Sequence, residues 1–469
     1  MTSARDLVVI GGGAGGLVVA SVAAQLGLDV VLINREEAMG GDCLHYGCVP
    51  SKALLKSASV AHTMRQASRW GVTSAVPEIN MQAVNQAIQK AIDTIQPHDS
   101  RERFETLGCE VLTGAARFIS PSQIEVKDKK ITARRFVIAT GSYAWIPPIK
   151  GLQQAGYLTN EDMFSLPALP ESMIILGGGP IGVEMAQAYA RLGTKVTIVE
   201  MAPRLLPRMD AEASRILADA LSAEGVSVVL ENEVIEVSGQ EGSKRLTLKD
   251  GTTLQAEALL VAIGRRPLLD GLALEKANID FDAGGIRVNR KMRTSNKKVY
   301  ACGDVTGEMP LTHVAELQAG IVIANMIFKM PKKINYDVIP AVVYTEPEVA
   351  QVGISVEQCN QLAKGEVYSF AIDQLDRAVT DNLKTGVAKI LTDNGRVVGA
   401  HIIGPHAGEL IHELALAVQE KMKVSKLTSL VHAYPSYSQL NKRLAGQYYK
   451  DRLFSPFTKK LVAMLNRFF

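Results

Sequence analysis

The residues best placed to do chemistry are two cysteines. In GGDCLHYGCVPSKALLK, residues 40–56, Cys43 and Cys48 are separated by four residues, just before an apolar-periodic stretch that reads as a helix with Pro50 near its first turn. A helix N-terminus lowers thiol pKa values, and the thiolate is the reactive form in disulfide exchange. Four intervening residues, Gly47 among them, can close a small ring without forbidding disulfide geometry. A zinc site is the main rival, but two thiolates need two more ligands and His45 is the only obvious addition. Two buried structural cysteines are the plainest alternative. No metal site is expected elsewhere.

Two glycine-rich segments would position this pair and feed it. LVVIGGGAGGLVVASVAAQLGLDVVLIN (7–34) and MIILGGGPIGVEMAQAYARLGTKVTIVE (173–200) share one plan. Each runs apolar strand, G-x-G-x-x-G, helix, short turn and second β-branched strand. In such a unit the glycines let the backbone approach a pyrophosphate at a helix N-terminus. A single copy is a weak signal, whereas two in full context imply two dinucleotide sites. At the end of the second strand, Glu200 can hydrogen-bond a ribose 2′-hydroxyl and repel a 2′-phosphate, which favours NADH, although Arg204 could soften this. The corresponding first-copy residue is Asn34, a neutral and weaker ribose partner. Two nucleotide sites in one chain imply an electron relay, one cofactor held and the other exchanging. RRFVIATGS closes on Thr140, Gly141 and Ser142; ALLVAIGRRP ends at Gly264, Arg265 and Arg266; KKVYACGDVTG presents Asp304, a partner for a polyol chain.

Bulk properties agree. A chain of 469 residues needs two to four domains. A net charge of +3 with interspersed acids and bases gives no footing for nucleic acid. Five cysteines cannot form a disulfide scaffold and point to a reducing compartment. Leu7 to Leu28 carries no charge and mimics a membrane span or signal peptide, but its glycines fit a strand, turn and helix better. The expectation is a soluble chain of the cytoplasm without a targeting segment.

These motifs, with IPAVVYTEPEVAQVG at 339–353, resemble the class I pyridine nucleotide-disulfide oxidoreductases, which include dihydrolipoamide dehydrogenase, glutathione, trypanothione and mercuric reductases. The resemblance runs from Leu7 to about Tyr449. It implies an α/β fold with two Rossmann-like domains and an α+β dimerisation domain. The expected boundaries are 1–150 and 272–338 for the FAD domain, 151–271 for the NAD(P)H domain, 339–450 for dimerisation and 451–469 for a tail. It implies FAD and NADH (NADPH less favoured) as cofactors and a homodimer whose active sites are completed by the partner's C-terminal domain. Cys48 would face the flavin and Cys43 would meet the substrate, with Lys52 and Glu184 paired beside flavin N5. FAD contacts would come from Gly11, Gly13, Ala14, Gly15, Gly16, Asn34, Gly41, Lys52, Gly114, Ala115, Thr140, Gly141 and Ser142. Asp304, Leu311, Thr312, His313 and Ala315 would complete them. NADH contacts would come from Gly177, Gly179, Ile181, Gly182, Glu200, Gly264 and Arg265.

One motif departs. Dithiol-forming members carry His-Pro-Thr-x-x-Glu, whose histidine is the acid–base group and whose glutamate orients it. VHAYPSYSQLNKR, aligned on Pro435, puts Tyr434 and Gln439 at those places. Tyrosine, with an ordinary pKa of about 10, is a poor base at neutral pH. His432, swinging in from a loop, and His45 are the candidate replacements. Reducing a soft metal ion held by thiolates makes no such demand, so the acceptor is read as a metal ion or small disulfide. Lipoamide with a replacement base is the alternative, and a non-catalytic redox sensor is the alternative of another class. Cys109, Cys302 and Cys359 read as structural, on a strand edge, in a buried strand and on a surface helix. In the tail, Phe457, Leu461, Met464, Leu465 and Phe468 share one helical face, with Lys459, Lys460 and Arg467 off it. Such a face packs onto the dimer or another domain, or rests weakly on an anionic membrane surface.

Overall fold

In the computed structural model, residues 4–467 are described; Phe468 of the tail lies outside them. The chain divides into two compact units, Met1–Gly177 with Ala188–Val196 and Val234–Asn335, and Gly178–Gln187 with Thr197–Glu233 and Tyr336–Phe469.

The first unit is built on a parallel sheet. Strand β1 (Arg5–Ile10) leads through the glycine turn into helix α1 (Ala14–Gln25) and strand β2 (Val30–Asn34). Helix α2 (Gly41–His45), helix α3 (Cys48–Gln66) and strand β3 (Cys109–Thr113) come next. β1 pairs in parallel with β2 and with Lys129–Ile138; β2 pairs with β3, and Val299–Ala301 with Lys129–Ile138. The run of β-branched residues in β1 and β2 is what a strand covered on both faces requires. Val8, Val31, Ile33, Phe136 and Val299 accordingly sit in one core cluster. Gly15 lets α1 lie close to the helix Thr312–Met326, since a Cβ there would come within 3.1 Å of Cys302 Sγ and 3.3 Å of Ala315 O. The apolar stretch after Leu7 is thus strand, turn and helix, and no described helix is long and apolar enough to cross a membrane.

The second glycine turn comes after the strand Ser172–Leu176, which pairs in parallel with Ala258–Val261. It opens the helix Pro180–Leu192, and the strand Lys195–Val199 then pairs in parallel with Ser227–Val229. The C-terminal part of the second unit is α+β. Five antiparallel strands run in the order Ala341–Val343, Glu348–Gly353, Arg396–Gly404, Val387–Asp393, Gly365–Ala371. The helices Ala407–Gln419 and Gln439–Leu453 cover this sheet, with Ile390, Ile402, Ile411, Leu414 and Leu444 in the shared core.

Candidate active site

Both redox cysteines stand in short turns at helix starts. Cys43 lies in α2, and Cys48 is the first residue of α3. Gly47 between them has no room for a side chain: a Cβ would come within 3.0 Å of Asp42 O and 3.2 Å of Cys43 Cα. The two thiols are hydrogen-bonded to one another, and Thr312 Oγ1 lies 3.3 Å from Cys48 Sγ. The hydrogen bond with Cys48, then burial, then the charge of Cys48, raise the Cys43 thiol well above its ordinary value. Burial and the neighbouring thiol thus hold Cys43 towards its protonated form, while Cys48 stands at the N-terminus of α3, where the helix dipole favours negative charge. Lys52 is one turn further along α3, on the same side as Cys48.

The loop is fastened from both sides. Upstream, Gly40 N donates to Gly12 O at 2.8 Å, and a Cβ on Gly41 (φ +65°) would come within 2.9 Å of Gly13 Cα. The redox turn and the first glycine turn are thus in backbone contact. On the other side Asp42 Oδ1 pairs with Arg265 at 3.0 Å and accepts from Asn160 Nδ2 at 2.9 Å. Arg265 Nε donates to Ser142 Oγ at 2.8 Å, and Ser142 Oγ donates to Asp304 Oδ2 at 2.6 Å. Four separate sequence motifs thereby meet in one chain of charge-assisted hydrogen bonds, which are shorter and stronger than neutral ones.

The first glycine turn fits a dinucleotide. Gly11 (φ +114°) could not carry a Cβ, which would sit 2.2 Å from Ala139 O, and one on Gly16 would sit 1.9 Å from Gly11 O. At Gly13 the only neighbour among the described residues is Gly41 Cα at 3.8 Å, leaving the helix N-terminus open to a pyrophosphate. A Cβ on Gly179 in the second turn would meet no described residue within 4 Å, while one on Gly177 would press against Ala262 O at 2.5 Å. Around the first turn, Gly114 N donates to Asn34 O at 2.8 Å, Thr140 Oγ1 to Leu268 O at 2.8 Å, and Leu268 N to Gly141 O at 2.9 Å. Ala14 opens α1; Leu311 precedes Thr312 and His313 at the start of their helix, and Ala315 is buried against Gly303. Ala115 is exposed beside Gly114. Ile181 and Gly182 lie in the first turn of the helix Pro180–Leu192.

Asn34 is more committed than its sequence position implies. Its Oδ1 accepts from Gly12 N at 3.1 Å, and its Nδ2 donates to Glu36 O at 2.8 Å and Ala38 O at 2.9 Å. Both donor hydrogens are used locally, so Asn34 fastens the turn and offers a ribose no donor. Glu200 bonds the second turn in the same way, Oε2 accepting from Gly178 N at 2.6 Å and Oε1 from Ala202 N at 2.8 Å. Glu184 is only 5 % exposed and its Oε1 accepts from Tyr344 N at 2.9 Å.

Both candidate bases are hydrogen-bonded where they stand. His45 Nε2 bonds Met39 O at 2.9 Å. His432 does not sit free in its loop: its side chain is 5 % exposed, with Nε2 3.1 Å from Glu413 Oε2, which also accepts from Asn441 Nδ2 at 2.9 Å. The buried His432 Nδ1 and Glu413 Oε1 have no hydrogen-bond partner among the described residues. Tyr434, two residues on, is 69 % exposed. The other cysteines are inert. Burial pushes Cys109 up to about 11 and Cys302 up to about 12. Cys359 is on a short helix but points inward, fully buried, donating to Glu366 O and Thr392 O, rather than lying at the surface.

Residues 5–319 match the family model "Pyridine nucleotide-disulphide oxidoreductase", and residues 339–444 match the dimerisation domain of the same family. The chain belongs to the pyridine nucleotide-disulphide oxidoreductases. The oxidoreductase is 32% identical to a mercuric reductase of Lysinibacillus sphaericus over 453 residues, 95% of this chain and 83% of that one. It is 35% identical to a dihydrolipoyl dehydrogenase of Trypanosoma brucei brucei over 462 residues, 92% and 94% of the two chains. Among solved structures, the Cu(II) complex of the HOCl-induced flavoprotein disulfide reductase RclA from Escherichia coli superposes with a TM-score of 0.85. It is 27% identical and covers 94% of this chain and 99% of its own. The oxidoreductase is accordingly a flavin-dependent enzyme that uses FAD and takes electrons from NAD(P)H. Two residues beside the thiols are not singled out by the sequence: Asp42 sits inside the redox motif and only its chemistry has to be weighed, whereas nothing local marks Asn160.

Proposed function

We propose that this oxidoreductase takes a hydride from NADH and passes the electron pair through the Cys43–Cys48 disulfide to an acceptor that needs little proton chemistry, a soft metal ion before lipoamide. The observation that carries this reading is the C-terminal loop. Tyr434 stands exposed where an acid–base histidine would stand, and the neighbouring imidazole of His432 is buried on Glu413. A thiolate-ligated metal ion can accept electrons without a general acid at the sulfur. The names of the mercuric reductase and of the Cu(II) complex of RclA lie on the same side.

Gly11, Gly13, Gly16, Ser142, Asp304 and Thr312 would hold FAD, which when bound relays the electron pair between nicotinamide and cysteines. Glu200 favours NADH, because its carboxylate repels a 2′-phosphate. Cys48 carries the thiolate charge and Cys43 meets the acceptor. Lys52 and Glu184 are assigned to the flavin environment, and a homodimer is proposed on the strength of the dimerisation domain.

The test is anaerobic NADH oxidation with mercuric ion and lipoamide as separate acceptors, beside Cys43→Ser. Turnover with the metal, lost in the variant, is expected; fast Cys43-dependent turnover with lipoamide alone would overturn the assignment. A second reading rests on the His432–Glu413 pair, whose Nδ1, without a partner among the described residues, would pass a proton to the thiolate released when lipoamide is reduced. In that case His432→Gln would abolish lipoamide turnover while leaving NADH reduction of the flavin unchanged.

A further inference from the structure

The segment after residue 444 lies beyond both family models. RclA, complete to 99% of its length, leaves 6% of this chain uncovered, since it spans 94% of it. The helix Gln439–Leu453 is still fastened to the second unit near its end: Arg452 lies over the Tyr448 ring at 3.8 Å and bonds both Glu366 oxygens at 3.2 Å. After it stands a separate helix, Pro456–Leu465, that supplies its own start. Ser455 accepts from Thr458 N at 3.2 Å as the N-cap, and Pro456 stands at the first position.

No residue of that helix is buried. Phe457 is 75 % exposed and Met464 52 %, and Leu461, Val462 and Leu465 are exposed with them. At about 3.6 residues per turn, Phe457, Leu461, Met464 and Leu465 form one stripe, with Lys459 across from it, Lys460 on its flank and Arg467 just past the helix end. From residue 452 to 467 there are four cations, counting Arg452, and no acid. An isolated helix of this length is marginal in water, so its apolar face needs a surface to rest on. Exposed phenylalanine, leucine and methionine do not suit nucleic acid. An apolar stripe in a segment whose charged residues are all cations suits an interface of acyl chains and anionic headgroups.

We infer that the helix Pro456–Leu465 docks the enzyme flat on an anionic lipid surface. This does not depend on which acceptor the enzyme reduces. The test is flotation of the full-length holoenzyme with vesicles of phosphatidylcholine alone or mixed equally with phosphatidylglycerol. Wild type is expected to float with the anionic vesicles and to be released by high salt. Lys459→Gln and Lys460→Gln should each weaken binding roughly fivefold. Leu461→Glu/Leu465→Glu should abolish it while turnover with a soluble acceptor is unchanged. Flotation that ignores headgroup charge, or that persists in a chain ending at Lys450, would overturn the inference. So would a drop in sedimentation mass for Leu461→Glu/Leu465→Glu without any vesicle binding, which would make the face a contact between copies.

Discussion

In the first glycine turn Asn34 Oδ1 accepts from Gly12 N at 3.1 Å; in the second, Glu200 Oε2 accepts from Gly178 N at 2.6 Å. The position is the same and the chemistry differs. An amide can give as well as take, and Asn34 uses both hydrogens to hold Glu36 O and Ala38 O in the strand exit that leads to Gly40, Gly41 and Cys43. A carboxylate only takes, and Glu200 keeps its charge beside an open Gly179. The first turn is therefore tied into the redox loop, as suits a resident cofactor. The second is held by a charge that can also greet a ribose, as suits a cofactor that comes and goes.

The largest effect should come from filling the tight glycines. Gly11→Ala forces a Cβ 2.2 Å from Ala139 O, so the protein should purify without flavin, read from its visible spectrum. Gly177→Ala meets Ala262 O at 2.5 Å and should leave the protein yellow but unreduced by NADH. Colourless protein from both would erase the distinction between the turns. Next is Glu200→Asn, which makes the second turn resemble the first. Loss of a charged hydrogen bond of about 1.5–3 kcal/mol should raise KM for NADH roughly ten- to a hundredfold, with flavin content and kcat nearly unchanged. The mirror change, Asn34→Asp, sets a carboxylate against two carbonyls. It should cost about 1–3 kcal/mol, seen as earlier release of flavin fluorescence on heating.

The smallest effect tests the thiols that the first turn supports. The hydrogen bond with Cys48 and burial raise the Cys43 pKa, and the Thr312 hydroxyl partly opposes them. Thr312→Val removes a group that favours the thiolate, so the Cys43 pKa must rise. Reoxidation of the NADH-reduced enzyme should then slow at a fixed pH, measured by stopped flow. Faster reoxidation would mean that the hydroxyl serves the neutral thiol instead.

The features legible in the sequence are local. The glycine turns, the cysteine pair and the 3.6-residue stripe of the tail each lie within one short segment, so spacing and residue type suffice to find them. The partner across the fold stays hidden. Arg265 reads as a strand end near the nicotinamide, yet its guanidinium neutralises Asp42 beside the thiols. Asn160 holds both Asp42 and Tyr46 O from a loop with no motif at all. His432 reads as free because Pro435 and Tyr434 mark a loop, and Glu413 on the helix before it carries no sign of the pairing. Asn34 reads toward a ligand, although its nearest acceptors are two and four residues away in its own turn.

The hydroxyl that meets Cys48 comes from a residue 264 positions later. During synthesis the cysteine pair leaves the ribosome long before Thr312, Asp304 or Arg265 exists to meet it. At about 5–20 residues per second, that interval is on the order of ten seconds or more. Throughout it the thiols have one another but not the groups that divide the proton between them. A stop anywhere before the Thr312 helix would leave a chain with both cysteines but without the hydroxyl that meets Cys48.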